Sequence, residues 1–94
     1  MEKKLYVCHN NLACENCTDI FSMNNDALAC QFFTNWVKAA TEKTQENDKH
    51  FSLWCLGIYK PYSLTVNADD ESAYEVCQGL DEAKNIILSF EENA

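Results

Sequence analysis

Strand formers dominate "KKLYVCH", and its alternation predicts a first strand over Lys3 to His9. Asn10 to Asp19 is polar and reads as a loop, and "IFSM" (Ile20 to Met23) as a short extended piece. The period then changes. Across "NNDALACQFFTNWVKAATEK", Ala29, Phe32, Phe33, Trp36 and Ala40 recur at three- and four-residue spacing, and Leu28 widens that stripe. This is the pattern of a helix with one buried face. Asn25 is placed to cap it. Asp26 falls in the first turn, and Lys38 and Lys43 fall toward the end, as the helix dipole favours. "TEKTQENDK" follows as a solvated connection.

"HFSLWCLGIY" is apolar on both strand faces, with Phe51, Leu53, Cys55 and Tyr59 on one and Trp54, Leu56 and Ile58 on the other. Such a strand is expected at the centre of a sheet and covered twice. "YSLTVN" after Pro61 alternates and predicts a half-exposed neighbour. In the last third, a helical face through Ala73, Val76, Cys77, Leu80, Ala83, Ile87 and Phe90 competes with the alternation of "AYEVC". Gly79 interrupts the helical face. We therefore expect an extended piece at Tyr74 to Cys77, then a helix from Asp81, a good cap, to about Glu92. The chain is thus expected to be a single α+β domain over residues 1–94. An antiparallel sheet of three to five short strands would pack against one main helix, with a second helix at the C-terminus.

Ninety-four residues suffice for one modest core, to which two Trp, five Phe and four Tyr contribute bulk. Charge narrows the function classes. Fifteen Asp and Glu face seven basic residues, all lysine, for a net charge of -8. From Asp69 onward eight acids face one lysine. Such a surface repels phosphate and anionic lipid, and arginine, the commonest reader of guanine, is absent. Direct nucleic-acid binding is disfavoured unless Lys3, Lys4, Lys38, Lys43, Lys49 and Lys60 cluster in the fold. In that case Trp36 or Trp54 would be the stacking candidates, although the apolar neighbours of both favour the core. "MEKKLYVCHN" has the positive start of a signal peptide but no apolar run, and no stretch approaches a membrane span. A cytosolic protein with six reduced thiols, and no membrane partner, is the expectation.

The densest chemistry lies in "CHNNLACENC". Cys14 and Cys17 form a C-x-x-C knuckle that, with Cys8 and His9, is a candidate zinc set, His50 or Cys77 being the alternatives for a fourth ligand. Against zinc stands the lack of a second knuckle, and adjacent strand residues such as Cys8 and His9 point to opposite faces. Against a redox pair stands the extended sequence after Cys17, flanked by Glu15 and Asp19, which would raise a thiol pKa. A loop with reduced thiols is the favoured reading. Cys30, Cys55 and Cys77 fall inside apolar patterns and read as core. No nucleophile elbow and no glycine-rich phosphate loop is present, since only Gly57 and Gly79 exist. No catalytic role is therefore assigned, and no cofactor is expected unless the zinc set is real. Asp69 to Glu71 reads as a solvated turn before a cation site.

Three segments in order carry a resemblance. They are "KLYV" near the start, "FSMNNDALACQFF" (Phe21 to Phe33) and "KHFSLWCLGIY" (Lys49 to Tyr59). Together they resemble the small nonstructural protein of gokushovirus-type microviruses, which are single-stranded DNA phages. Asn25, Asp26, Ala27, Ala29 and Phe33 match that family's N-D-A-x-A-x-x-x-F helix start. Phe51, Ser52, Leu53, Trp54, Leu56 and Gly57 match its F-S-L-aromatic-x-L-G strand. The cysteine loop is not part of that pattern. The resemblance covers about two thirds of the chain and implies a non-enzymatic accessory protein of the host cytoplasm. Such a protein would act in viral DNA replication or its regulation, through phage or host replication proteins or weak single-stranded DNA contacts. Exposed strand edges make a homodimer plausible. The rival expectation is an acidic decoy of a host nucleic-acid-binding protein, presenting Asp69, Asp70, Glu71, Glu75, Asp81 and Glu82. A small zinc-binding interaction module is the third.

Overall fold

A computed structural model describes residues 3–44, 47–59, 66–67 and 73–92. The fold is α+β, with an antiparallel open sheet and two helices. At its centre the first strand, β1 (Lys3–Asn10), pairs along its whole length with β4 (Phe51–Tyr59). The outer edge of β1 carries two short strands end to end. They are β2 (Glu15–Asn16), beside His9 and Asn10, and β3 (Phe21–Met23), beside Lys4 to Tyr6. The outer edge of β4 is shared likewise between β5 (Val66–Asn67) and β6 (Tyr74–Gln78). Among the described residues six strands therefore make a sheet four positions wide, one strand more than the pattern of polarity predicts. The extra strand is β2, a two-residue ladder inside the predicted cysteine loop.

The first helix, α1 (Asp26–Thr44), forms where the period changes. Asn25 caps it: its Oδ1 accepts from Leu28 N–H at 2.9 Å and its carbonyl from Ala29 N–H at 3.2 Å. The buried stripe is narrower than predicted and rotated. Ala29, Cys30, Phe33 and Val37 are fully buried, whereas Phe32 and Leu28 are 37% and 40% exposed. Too many apolar residues line this helix for spacing alone to locate the centre of the stripe. Phe32 instead lies at the rim, its ring 4.2 Å from that of Phe21 on β3. Trp36 packs edge-on against Phe51 at 5.4 Å, on the core side.

The core joins Tyr6 and Cys8 of β1, Phe51, Leu53 and Cys55 of β4, and Cys77 of β6 to residues of both helices. Cys30, Cys55 and Cys77 are buried as expected. Both helices lie on this one face, so β4 is central without being covered twice by helices. On the other face Trp54 lies along its own strand, its indole N–H donating to the fully buried Ser52 hydroxyl at 2.9 Å. A bulge between Leu5 and Tyr6 sets Leu56 out of the ladder. The alternation of β4 switches there. Ile58, opposite Lys4, shares the helix face, and Tyr59, opposite Lys3, does not, which reverses the predicted sides of these two residues.

The last third is a strand and then a helix, as expected, but α2 (Gly79–Glu92) starts two residues before Asp81. Its cap comes from far away in sequence. Asp48, in a 3₁₀ turn at Asp48–His50, accepts from Leu80 N–H at 2.8 Å, and Glu82 accepts from Gln78 N–H at 3.1 Å. Asp81 is exposed in the first turn. Gly79 makes this junction possible at φ +76°, and a Cβ there would sit 3.1 Å from Asp48 Oδ2 and 3.3 Å from Lys49 Cγ. Gly79→Ala is expected to destabilise the fold by about 1–2 kcal/mol, since alanine carries the left-handed penalty and crowds the cap. Urea denaturation checks this; an unchanged midpoint would mean the junction relaxes freely. The predicted strand at "YSLTVN" is seen only at Val66 and Asn67, beside β4 as expected, and its earlier residues lie outside the described ones. No helix is long and apolar enough to cross a membrane among the described residues.

Candidate functional site

One polar cluster ties the sheet to the start of α1. Asp26, the first residue of α1, receives the Tyr6 hydroxyl at 2.6 Å and the Tyr74 hydroxyl at 3.2 Å. Lys4 donates to the Tyr74 hydroxyl at 3.2 Å and stands 3.5 Å from Asp26 Oδ1. Two strands thus reach one carboxylate: Lys4 and Tyr6 come from β1, and Tyr74 of β6 is brought level with Tyr6 by Cys55 of the intervening β4, which pairs with both. The consequences for the tyrosines follow from their surroundings. Burial, then the hydrogen bond to Asp26 and its negative charge, hold the Tyr6 hydroxyl well above the usual phenol range. Burial, then the Cys55 thiol beside it and the charge of Asp26, raise that of Tyr74.

Beside the cluster opens a groove of about 390 Å³ between the start of α1 and the end of α2, lined by Lys4, Asn25, Asp26, Ala27, Ile86, Ser89 and Phe90. Its walls are apolar where Ala27, Ile86 and Phe90 line it, and it carries an ammonium and a carboxylate at one end. Phe90 is 51% exposed. The lining holds no histidine and no thiol. These groups can bind and orient a partner through an apolar body and a polar end. Sequence reading misses the cluster. It assigned Asp26 to the helix dipole alone, and the two tyrosines that use it lie 20 and 48 positions away, with no local pattern to link them.

The candidate zinc set is not brought to a point. Cys8 faces the core, and burial pushes its thiol up to about 12. His9, on the opposite face, bonds Asn16 through Nδ1 at 2.9 Å. Cys14 and Cys17 are exposed, with their sulfurs over their own loop at Asn11 O and Glu15 O. Of the alternative fourth ligands, Cys77 is in the core, and His50 sits at the loop end of β1, where its carbonyl accepts from Asn11 N–H at 2.8 Å. No group of three or more His, Cys, Asp or Glu converges to hold a metal ion among the described residues.

The lysines are dispersed. Lys4 is engaged at the start of α1, Lys3 projects from the other face of the sheet, and Lys38 and Lys43 are exposed toward the far end of the helix. At 1.5 Å per residue the Asp26 and Lys43 backbones are about 25 Å apart. Lys49 is exposed next to Asp48, Asp81 and Glu82, which line a common depression with it. Lys60 lies outside the described residues. Of the acidic set, Glu75 is exposed on β6 opposite Trp54, Asp81 and Glu82 flank the α2 cap, and Asp69, Asp70 and Glu71 lie outside the described residues. Trp36 is taken up by the core, while Trp54 lies on the helix-free face beside Val7, His9, Asn16 and Leu56. The site therefore belongs to a small antiparallel α+β domain with an open sheet. No protein-family model, no curated protein and no solved structure matches the chain.

Proposed function

We propose that the chain is a non-enzymatic accessory protein of a single-stranded DNA phage, acting in or regulating viral genome replication through protein contacts. The ordered resemblance carries this reading, and the positions of its residues support it. Asn25 caps α1, Asp26 anchors Tyr6 and Tyr74, and Phe33, Phe51 and Leu53 fill the core. The shared residues are thus those that specify a fold, so sharing them argues for a shared fold. Protein contacts are favoured over DNA for two reasons. The net charge is -8, and the described lysines form no single stripe along which a phosphate backbone would run, since Lys4 is paired with Asp26, Lys3 lies on the other sheet face, Lys38 and Lys43 lie toward the end of α1 and Lys49 lies among carboxylates. The groove, with the exposed Phe90 beside Ala27 and Ile86, supplies an apolar surface for such a contact.

The decoy reading has less support. Glu82 is spent on capping α2, and Lys49 sits among the described carboxylates. The test has two arms on the purified, reduced chain. One is titration with labelled single-stranded DNA at low and near-physiological salt. The other is binding to the immobilised replication initiator of a gokushovirus-type phage. Expected are saturable binding to the initiator, weakened at least tenfold by Phe90→Ala, and no DNA binding near physiological salt. Tight, salt-sensitive DNA binding without initiator binding would overturn the protein-contact reading, and binding to neither would remove the replication role.

A further inference from the structure

All six cysteines are thiols, and four of them are buried. Two of the four meet. Cys30 on α1 and Cys77 on β6, 47 positions apart in sequence, have their sulfurs 3.9 Å apart, at 0% and 1% exposure. The other buried thiols are elsewhere. Cys8 and Cys77 both pair with Leu53, from opposite sides, so they are two strand spacings or about 10 Å apart. The Cys55 sulfur points at the Gly57 carbonyl of its own strand, 3.8 Å away.

We propose that Cys30 and Cys77 are a peroxide-oxidisable dithiol that closes into one disulfide across the seam between α1 and β6. Their sulfurs must approach by about 2 Å to reach bonding distance. The chemistry needs hydrogen peroxide, an oxidant small enough to enter a packed core. The Cys30 thiolate attacks one peroxide oxygen, the O–O bond breaks, and hydroxide leaves, giving a sulfenic acid on Cys30. The Cys77 sulfur then attacks the Cys30 sulfur, the S–O bond breaks, and the S–S bond forms. The hydroxide lost in each step takes up one thiol proton, that of Cys30 in the first and that of Cys77 in the second, so two thiols and one peroxide become one disulfide and two waters. Either sulfur can donate across this contact; the shared hydrogen bond lowers the Cys30 thiol from its ordinary range and raises that of Cys77, which favours Cys30 as the attacking thiolate.

The bond would fasten α1 to the strand from which α2 springs at Gly79, closing a loop of about 47 residues. Cross-linking so long a loop restricts the unfolded chain strongly. The measurement uses the full chain with Cys14→Ser and Cys17→Ser, which removes the two exposed thiols that peroxide would reach first. After peroxide, the protein is unfolded and alkylated. Two of the four remaining thiols are expected to resist labelling, and peptide mapping is expected to join Cys30 to Cys77. The melting temperature is expected to rise by about 10 °C or more. Dithiothreitol should reverse all three changes, and adding Cys77→Ala should abolish the rise. Four labelled thiols, a cross-link that includes Cys8 or Cys55, or sulfinic acid on Cys30 with no cross-link would each overturn the proposal.

Discussion

Phe33→Ala is expected to lower the unfolding free energy by about 3–5 kcal/mol, the largest loss of any single truncation considered for this chain. Phe33 is 0% exposed and packs in the cluster formed by β1, β4 and both helices, so the cavity left behind is walled on every side. A domain of this size has about twice that stability in total, and the variant should unfold at much lower urea. Phe32→Ala is the control. Its ring is 37% exposed and stacks on Phe21, so its loss should cost about 1 kcal/mol. Urea unfolding followed by tryptophan fluorescence compares the two. Equal costs, or a larger one for Phe32, would show that the buried stripe of α1 is rotated from Cys30–Phe33–Val37.

Asp26→Ala is expected to cost about 2–4 kcal/mol. Most of this comes from Tyr6, whose fully buried side chain would be left with an unpaired hydroxyl. A smaller part is the lost charge at the start of α1. Tyr74 and Lys4 are partly exposed, and water replaces Asp26 for them. Removing donor and acceptor together should therefore be milder than removing the acceptor. Tyr6→Phe combined with Asp26→Ala is expected to recover about 1–2 kcal/mol relative to the sum of the single changes. Strict additivity would mean the 2.6 Å bond carries no energy of its own.

The same cluster gives the fold an alkaline limit. Tyr6, Tyr74 and, in the core, Cys8 have their protonated forms favoured by folding. A group raised in this way contributes its full stability below its unfolded pKa and loses it as pH rises toward the folded value. The fall should therefore begin near pH 9, where unfolded thiols titrate, and steepen past about 10 as unfolded tyrosines ionise. In Tyr6→Phe the second part should be shallower. An unchanged slope would remove Tyr6 from the account.

Much of the architecture was legible in the order of polar and apolar residues. The first strand, the main helix with its Asn25 cap, the central strand and the split at Gly79 all follow from local rules of period, capping and backbone freedom. These act over a few residues, so a linear reading reaches them. The centre of the α1 stripe was not legible, because Leu28, Ala29, Cys30, Phe32 and Phe33 give spacing several equally good answers. Only the sheet beneath, with Phe21 at one flank and Phe51 at the other, selects among them. The switch of sides at Ile58 was hidden for a related reason: a bulge is a property of the pairing with β1, not of the strand alone.

By itself the sequence determined the fold class, the charge that sets this surface against phosphate, and the burial of Cys30, Cys55 and Cys77. Each depends on composition or on neighbours within one or two turns. Tertiary structure alone decided which distant groups meet. It brought Asp26 to Tyr6 and Tyr74, placed Asp48 on the start of α2, set Cys30 against Cys77, and kept Cys8 from Cys14 and Cys17 as joint ligands. A hydrogen bond or a sulfur contact acts over a few ångströms, and its partners can be any number of residues apart. No period along the chain records such a pairing; it exists once the strands have found their register.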